Sequence, residues 1–146
     1  MFEKFGEMGS WQELDELAKN LYKEGDKEAL EIFCAENGLD IEDIEEAAAD
    51  GVELFVTPTT AAMGRLKVEQ EADKNAISVL YDAARAMLMN PHMAPMFLKK
   101  DKRLADVYQE LRRMAEKNRK GNVGVACGTD RELMEIIRKY YEGSKA

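Results

Sequence analysis

Apolar residues recur three and four apart along most of this chain, which is the spacing of one helix face. Trp11, Leu14, Leu17, Ala18 and Leu21 form the first such face. Ser10-Trp11-Gln12-Glu13 opens it with a capping box, a hydroxyl at the N-cap and a glutamate three residues on. Gly25-Asp26 ends that helix and caps a second, with Ala29, Leu30, Phe33 and Cys34 inward. Asn37-Gly38 is a C-cap signal. Asp40-Ile41-Glu42-Asp43 then starts a third, short helix that runs to Ala49 and stops at Gly51. Residues 10–50 therefore read as a compact three-helix unit.

Val52 to Val56 alternates weakly and is rich in strand formers, so it reads as a short strand or an extended linker. Thr57-Pro58 puts proline in the first turn of the next helix, where its missing N–H costs little. That helix carries Ala61, Ala62, Met63 and Leu66 and breaks near Asp73 or Lys74. Ala76, Ile77, Leu80, Tyr81, Ala84, Met87 and Leu88 make a strong apolar stripe, ended by Asn90-Pro91. A short helix follows from His92 to Lys99, and another carries Leu104, Val107, Tyr108, Leu111 and Met114. Lys120 to Gly128 is a glycine-punctuated loop in which Val123 and Val125 suit a short strand. Thr129-Asp130-Arg131-Glu132 caps a last helix with Leu133, Met134, Ile136, Ile137 and Tyr140 inward, and Gly143 closes it. The pattern predicts a mostly α fold of six to seven helices in two small subdomains, with room for one short two-stranded β pair. The subdomains are an acidic three-helix unit over residues 1–52 and a helical domain over residues 57–146 with a basic segment and the C-terminal helix.

Composition adds an asymmetry to this picture. The chain has 146 residues, 45% of them hydrophobic, with 21 Lys and Arg against 29 Asp and Glu, a net charge of −8. Residues 1–56 hold 4 Lys, no Arg and 17 Asp or Glu, a net −13, and the remainder carries +5. An anionic half of this kind repels nucleic acid and attracts basic surfaces. No apolar run approaches the ~20 residues that span a bilayer, and Met1 to Gly6 has no apolar leader core. Two cysteines, Cys34 and Cys127, make no disulfide framework and fit a reducing compartment. The expectation is a cytoplasmic protein. A lone histidine, His92, excludes any metal site that needs two, and no cofactor is expected.

Few segments suggest chemistry. Cys34 to Ile44 has the spacing of a helix-turn-helix. Its second helix, however, carries Asp40, Glu42, Asp43, Glu45 and Glu46 and no basic residue, so every charge there would repel phosphate. The same carboxylates, rising about 1.5 Å per residue along a helix, suit imitation of a nucleic-acid strand in a basic channel. They are the predicted anionic partner contacts. The predicted cationic contacts, to nucleic acid or to a partner, are Lys99, Lys100, Lys102, Arg103, Arg112, Arg113, Lys117, Arg119 and Lys120. Gly121, Gly124 and Gly128 precede a helix but fit neither the dinucleotide nor the P-loop spacing. Cys127 stands where a thiolate would be stabilised, yet no histidine is near it in sequence, and no pair of carboxylates stands out as acid and base. No enzymatic activity is expected. Met87, Met89, Met93 and Met96 gather around Asn90-Pro91 as core filler or as the lining of an adaptable groove.

Asn90-Pro91 through Met96-Phe97-Leu98-Lys99-Lys100, the amphipathic helix after it, the turn with Cys127-Gly128, and Glu132 to Tyr140-Tyr141 form a pattern over about residues 75–142. It resembles the PcfK-like family of mobile-element proteins, with Phe97, Tyr140 and Tyr141 as anchors. Lys139 stands where that family usually has a histidine. The family consists of small proteins of conjugative plasmids and integrative elements, and some relatives are anti-CRISPR proteins that inhibit Cas9. The resemblance implies a non-enzymatic interaction protein of a phage or mobile element, partnered by a CRISPR effector, Cas9 or its guide-RNA complex. The −13 half suits the positively charged channel of such an effector. The alternative is a nucleic-acid-binding accessory of plasmid or integrative-element transfer that works through the basic C-terminal segment.

Overall fold

The structure, a computed structural model, describes residues 1–117 and 130–143. Among them are seven α-helices, one 3₁₀ segment and no strand. They are α1 (Trp11–Glu24), α2 (Lys27–Asn37), α3 (Ile41–Asp50), α4 (Pro58–Ala72), α5 (Ser78–Met87), the 3₁₀ segment Pro91–Leu98, α6 (Leu104–Lys117) and α7 (Asp130–Glu142). The predicted mostly α fold holds. No described helix is long and apolar enough to cross a membrane.

Local chemistry sets the boundaries. Ser10 Oγ accepts the Glu13 N–H, Asp26 accepts that of Ala29, Asp40 that of Glu42 and Thr57 that of Thr60. Each cap satisfies a donor that has no partner inside its own helix. Pro95 lies inside residues 91–98 and supplies no N–H, which interrupts α-helical bonding in this 3₁₀ segment.

Of the two readings of Val52–Val56, strand or linker, the segment is a linker and forms no strand. Val52 N–H still serves the end of α3, donating to the Ala47 carbonyl at 3.1 Å. Phe55 and Val56 donate their N–H groups to one oxygen of Asp15, at 2.6 and 2.9 Å. A buried carboxylate on α1 thus takes the role a partner strand would have played. Val123 and Val125, the other strand candidates, lie outside the described residues.

Two apolar clusters meet at α4. The first gathers Leu14, Leu21, Leu30, Phe33 and Ile44 from α1, α2 and α3, together with Val56, Ala61 and Leu98. The second gathers Leu66, Leu80, Tyr81, Phe97, Leu104, Val107, Ile137 and Tyr141. Ala61 serves the first cluster while Ala62 and Leu66 serve the second. A helix enclosed in this way must be apolar on most of its faces, and α4 buries Ala61, Ala62, Gly64, Arg65, Leu66, Val68 and Glu69. It packs against α1, α2, α5, α6 and the 3₁₀ segment.

Candidate interaction surface

The helix α3 is held by its first turn and by one apolar anchor. Asp40 caps it, and Ile44, 2% exposed, fixes it to the first cluster. The preceding turn is set by Gly38, whose φ of +66° suits glycine. The N–H groups of Gly38 and Leu39 both return to the Cys34 carbonyl. Gly38 also lies against Gly64 of α4, and a Cβ on either glycine would collide with the other segment's backbone. The α2–α3 turn is therefore pressed onto α4, and Asp40 and Asp43 border a groove beside it with Thr60, Met63, Lys67 and Arg85.

On α3 and its cap, Asp40, Glu42, Asp43 and Glu46 are exposed and Glu45 is half-buried. The Glu45 carboxylate approaches Lys27 at 3.9 Å, the outer limit of an ion pair. No ion pair forms at Asp40, Glu42, Asp43 or Glu46 among the described residues. The five predicted anionic contacts are thus spread around α3: Glu45 borders α1 and α2, whereas Asp40 and Asp43 border α4. Cys34 beneath them is 3% exposed. Burial first, then Asp40, Glu45 and Glu31, pushes its thiol up to about 12, so it stays protonated.

The cationic set is arranged differently. Lys99 Nζ donates to the Tyr141 carbonyl at 2.7 Å and Lys102 Nζ to that of Tyr140 at 3.2 Å. Both therefore cap the negative end of α7. Arg103 lays its fork on Glu7, with Nη1 and Nη2 each donating at 2.9 Å. Arg112 lies over the Tyr108 ring, 6.0 Å from its centroid, and Arg113 pairs with Glu110 at 2.9 Å. Lys100 is exposed, with its stem along Gly9. The Lys117 side chain, Arg119 and Lys120 lie outside the described residues, as do Gly121, Gly124, Cys127, Gly128 and Thr129. His92 is exposed, and its N–H is taken by the Asn90 side chain at 3.1 Å. Met89 is 88% exposed and Met93 half-buried, so this cluster is partly surface.

Several charged residues that the sequence did not single out are structural. Glu7 accepts from Arg65 Nη2, from both Arg103 nitrogens and from the Asp101 N–H at 3.0 Å. Arg65 Nε donates to Glu69 at 2.8 Å, and Glu69 also accepts the Leu104 N–H at 2.8 Å. The Phe2 ring lies over both arginines, 4.9 Å from Arg65 and 5.5 Å from Arg103. Burial alone raises the Glu7 carboxyl. The Arg103 hydrogen bonds, the Arg65 charge and hydrogen bond, and the Asp101 N–H outweigh it and hold the pKa at about 2. Burial pushes the Glu69 carboxyl the other way, up, against Leu104 N–H and the two guanidiniums. Arg65 and Glu69 stand four apart in an apolar stretch, and that spacing was the one sequence signal for this network.

Among the described residues no three His, Cys, Asp or Glu side chains group to hold a metal ion. Comparison of the chain with protein-family models, with curated proteins and with solved structures returns no match.

Proposed function

We propose that this chain is a non-enzymatic interaction protein of a mobile element that binds a basic protein surface through α3. The partner in this reading is the CRISPR effector Cas9, which the C-terminal pattern around Phe97, Tyr140 and Tyr141 suggests. The observation that carries the proposal is the difference between the two charged sets. Glu42, Asp43 and Glu46 are exposed and make no ion pair among the described residues, whereas Lys99, Lys102 and Arg103 are engaged by backbone carbonyls and by Glu7. Glu7 is the one acidic residue of the first 56 whose described ion pairs reach the later part of the chain. The front of the molecule therefore keeps nearly all of its negative field, which attracts a cationic channel and repels bare nucleic acid.

The test is a pull-down with purified Cas9, with and without guide RNA, at low ionic strength. Binding is expected, and Glu42→Gln, Asp43→Asn and Glu46→Gln together should weaken it by about tenfold or more. No binding at low salt, where this attraction is strongest, ends the proposal.

A further inference from the structure

The end of α1, the Gly25 turn and the start of α2 meet α3 at a surface groove of about 330 Å³. Leu21 and Leu30 form its floor, and Tyr22, Asp26, Lys27 and Glu45 complete its lining. Floor and wall are apolar for a physical reason. Leu21 and Leu30 are core residues whose outer edges reach the surface, at 7% and 3% exposure. Tyr22 is held edge-on against Phe55, with ring centroids 6.1 Å apart, and still leaves 43% of itself exposed. Its orientation is therefore set before anything binds, which spares the ordering cost of association.

We infer that this groove docks a lysine- or arginine-rich protein segment that also carries apolar side chains. This deepens the reading above and rests on it, because it names where a basic partner gains its apolar grip. Charge chooses the occupant. Asp26 and Glu45 line the groove, and exposed Glu24, Glu28 and Glu46 stand on the same three helices. Lys27, the cation of the lining, is shared with Glu45. A nucleic-acid strand or an anionic membrane meets repulsion here. A long cationic side chain can lay its methylenes on Leu21 and Leu30 and keep its charge beside the carboxylates. An apolar neighbour on the same segment finds the Tyr22 ring, an aromatic of the kind that anchors interfaces. Carboxylates alone would bind any polycation equally; the apolar floor demands an amphipathic one.

The experiment uses the full chain with isotope-labelled leucine methyls and three probes: an amphipathic lysine–leucine peptide, polylysine of equal charge, and single-stranded DNA. The expected result is tighter binding of the amphipathic peptide than of polylysine, no binding of DNA, and shifts of the Leu21 and Leu30 methyls. Tyr22→Ala, at an exposed position, should weaken the amphipathic peptide about tenfold and leave polylysine unchanged. Equal affinity for the two peptides, or still methyls at Leu21 and Leu30, overturns the groove. If Cas9 is nevertheless captured and Tyr22→Ala does not diminish the capture, the α3 reading survives without the groove. If the amphipathic peptide binds in the groove and Cas9 does not, the groove stands and the assignment of Cas9 falls.

Discussion

Single residues decide this structure where charge is buried. Glu7 holds two guanidiniums and one backbone N–H, so its neutralisation takes from Arg103 its carboxylate and leaves Arg65 with Glu69 alone. Glu7→Gln should cost about 3 kcal/mol at neutral pH, read by urea unfolding. The pH dependence follows from its pKa, lowered from 4.5 to about 2 on folding. A lowered carboxylate pKa gives stability that is complete above the unfolded value and is lost as pH falls toward the folded one. The wild-type chain should therefore lose this contribution between 4.5 and about 2, and Glu7→Gln should be flatter across that window. A glutamine variant as acid-sensitive as the wild type would show that the network is not the titrating element. The adjacent tyrosines make a second pair of predictions. Among the described residues the buried Tyr141 hydroxyl has no hydrogen-bond partner, whereas Tyr140 donates to Asp106 at 2.8 Å and accepts the Arg103 N–H at 3.1 Å. Tyr141→Phe should leave the melting temperature unchanged or raise it, while Tyr140→Phe should cost about 1 kcal/mol.

Elements were legible from the sequence wherever apolar period and capping residue agreed. α1, α2 and α3 carry both signals and end at the predicted glycines, Gly25, Gly38 and Gly51. What sequence could not show is what replaces a missing partner over distance. Val52–Val56 has strand composition, yet its Phe55 and Val56 donors go to Asp15, about forty residues earlier. Local preference cannot see such a contact, and tertiary context overrides it. The site was half legible for the same reason. The α3 carboxylates were visible as a run, but whether Lys99, Lys102 and Arg103 were free depended on Glu7 and on the end of α7, both remote in sequence. The crossing of α2 and α4 is a third feature hidden from periodicity, since nothing in the pattern announces that Gly38 and Gly64 touch. Gly64→Ala places a methyl on the Asn37 carbonyl, so the intrinsic helix gain of alanine, about 1 kcal/mol, should be reversed into a net loss of about 2 kcal/mol. Gly51→Ala is the control: its Cβ meets nothing, and only its φ of +68° opposes it. It should cost about 1 kcal/mol. Chemical denaturation of both variants compares the two terms, and equal losses would mean that the helix crossing is looser than drawn.

At the scale of the molecule, salt should act in opposite directions on folding and on partner binding. The first 56 residues carry a net −13 and, among the described residues, share only the Glu7 ion pairs with the rest of the chain. Most of that charge is exposed, so it repels itself through solvent. Raising ionic strength from about 10 mM to about 150 mM shortens the screening length from about 30 Å to about 8 Å. Repulsion between carboxylates on neighbouring helices is then largely removed. The buried Arg65–Glu69 pair, at 2.8 Å with side chains 3% and 2% exposed, is screened far less. Relief of about 1 kcal/mol should raise the melting temperature by about 2–4 °C. The same screening weakens attraction to a basic partner, mostly by slowing association. Neutralising Glu42, Asp43 and Glu46 separates the two effects. The variant should melt at the same temperature as the wild type or higher, respond less to salt, and bind a basic partner more weakly at low ionic strength. Calorimetry and association kinetics on one preparation test both signs. A melting temperature that falls with salt would mean that the exposed carboxylates are held by counter-charges, and the outward negative field on which α3 depends would not exist.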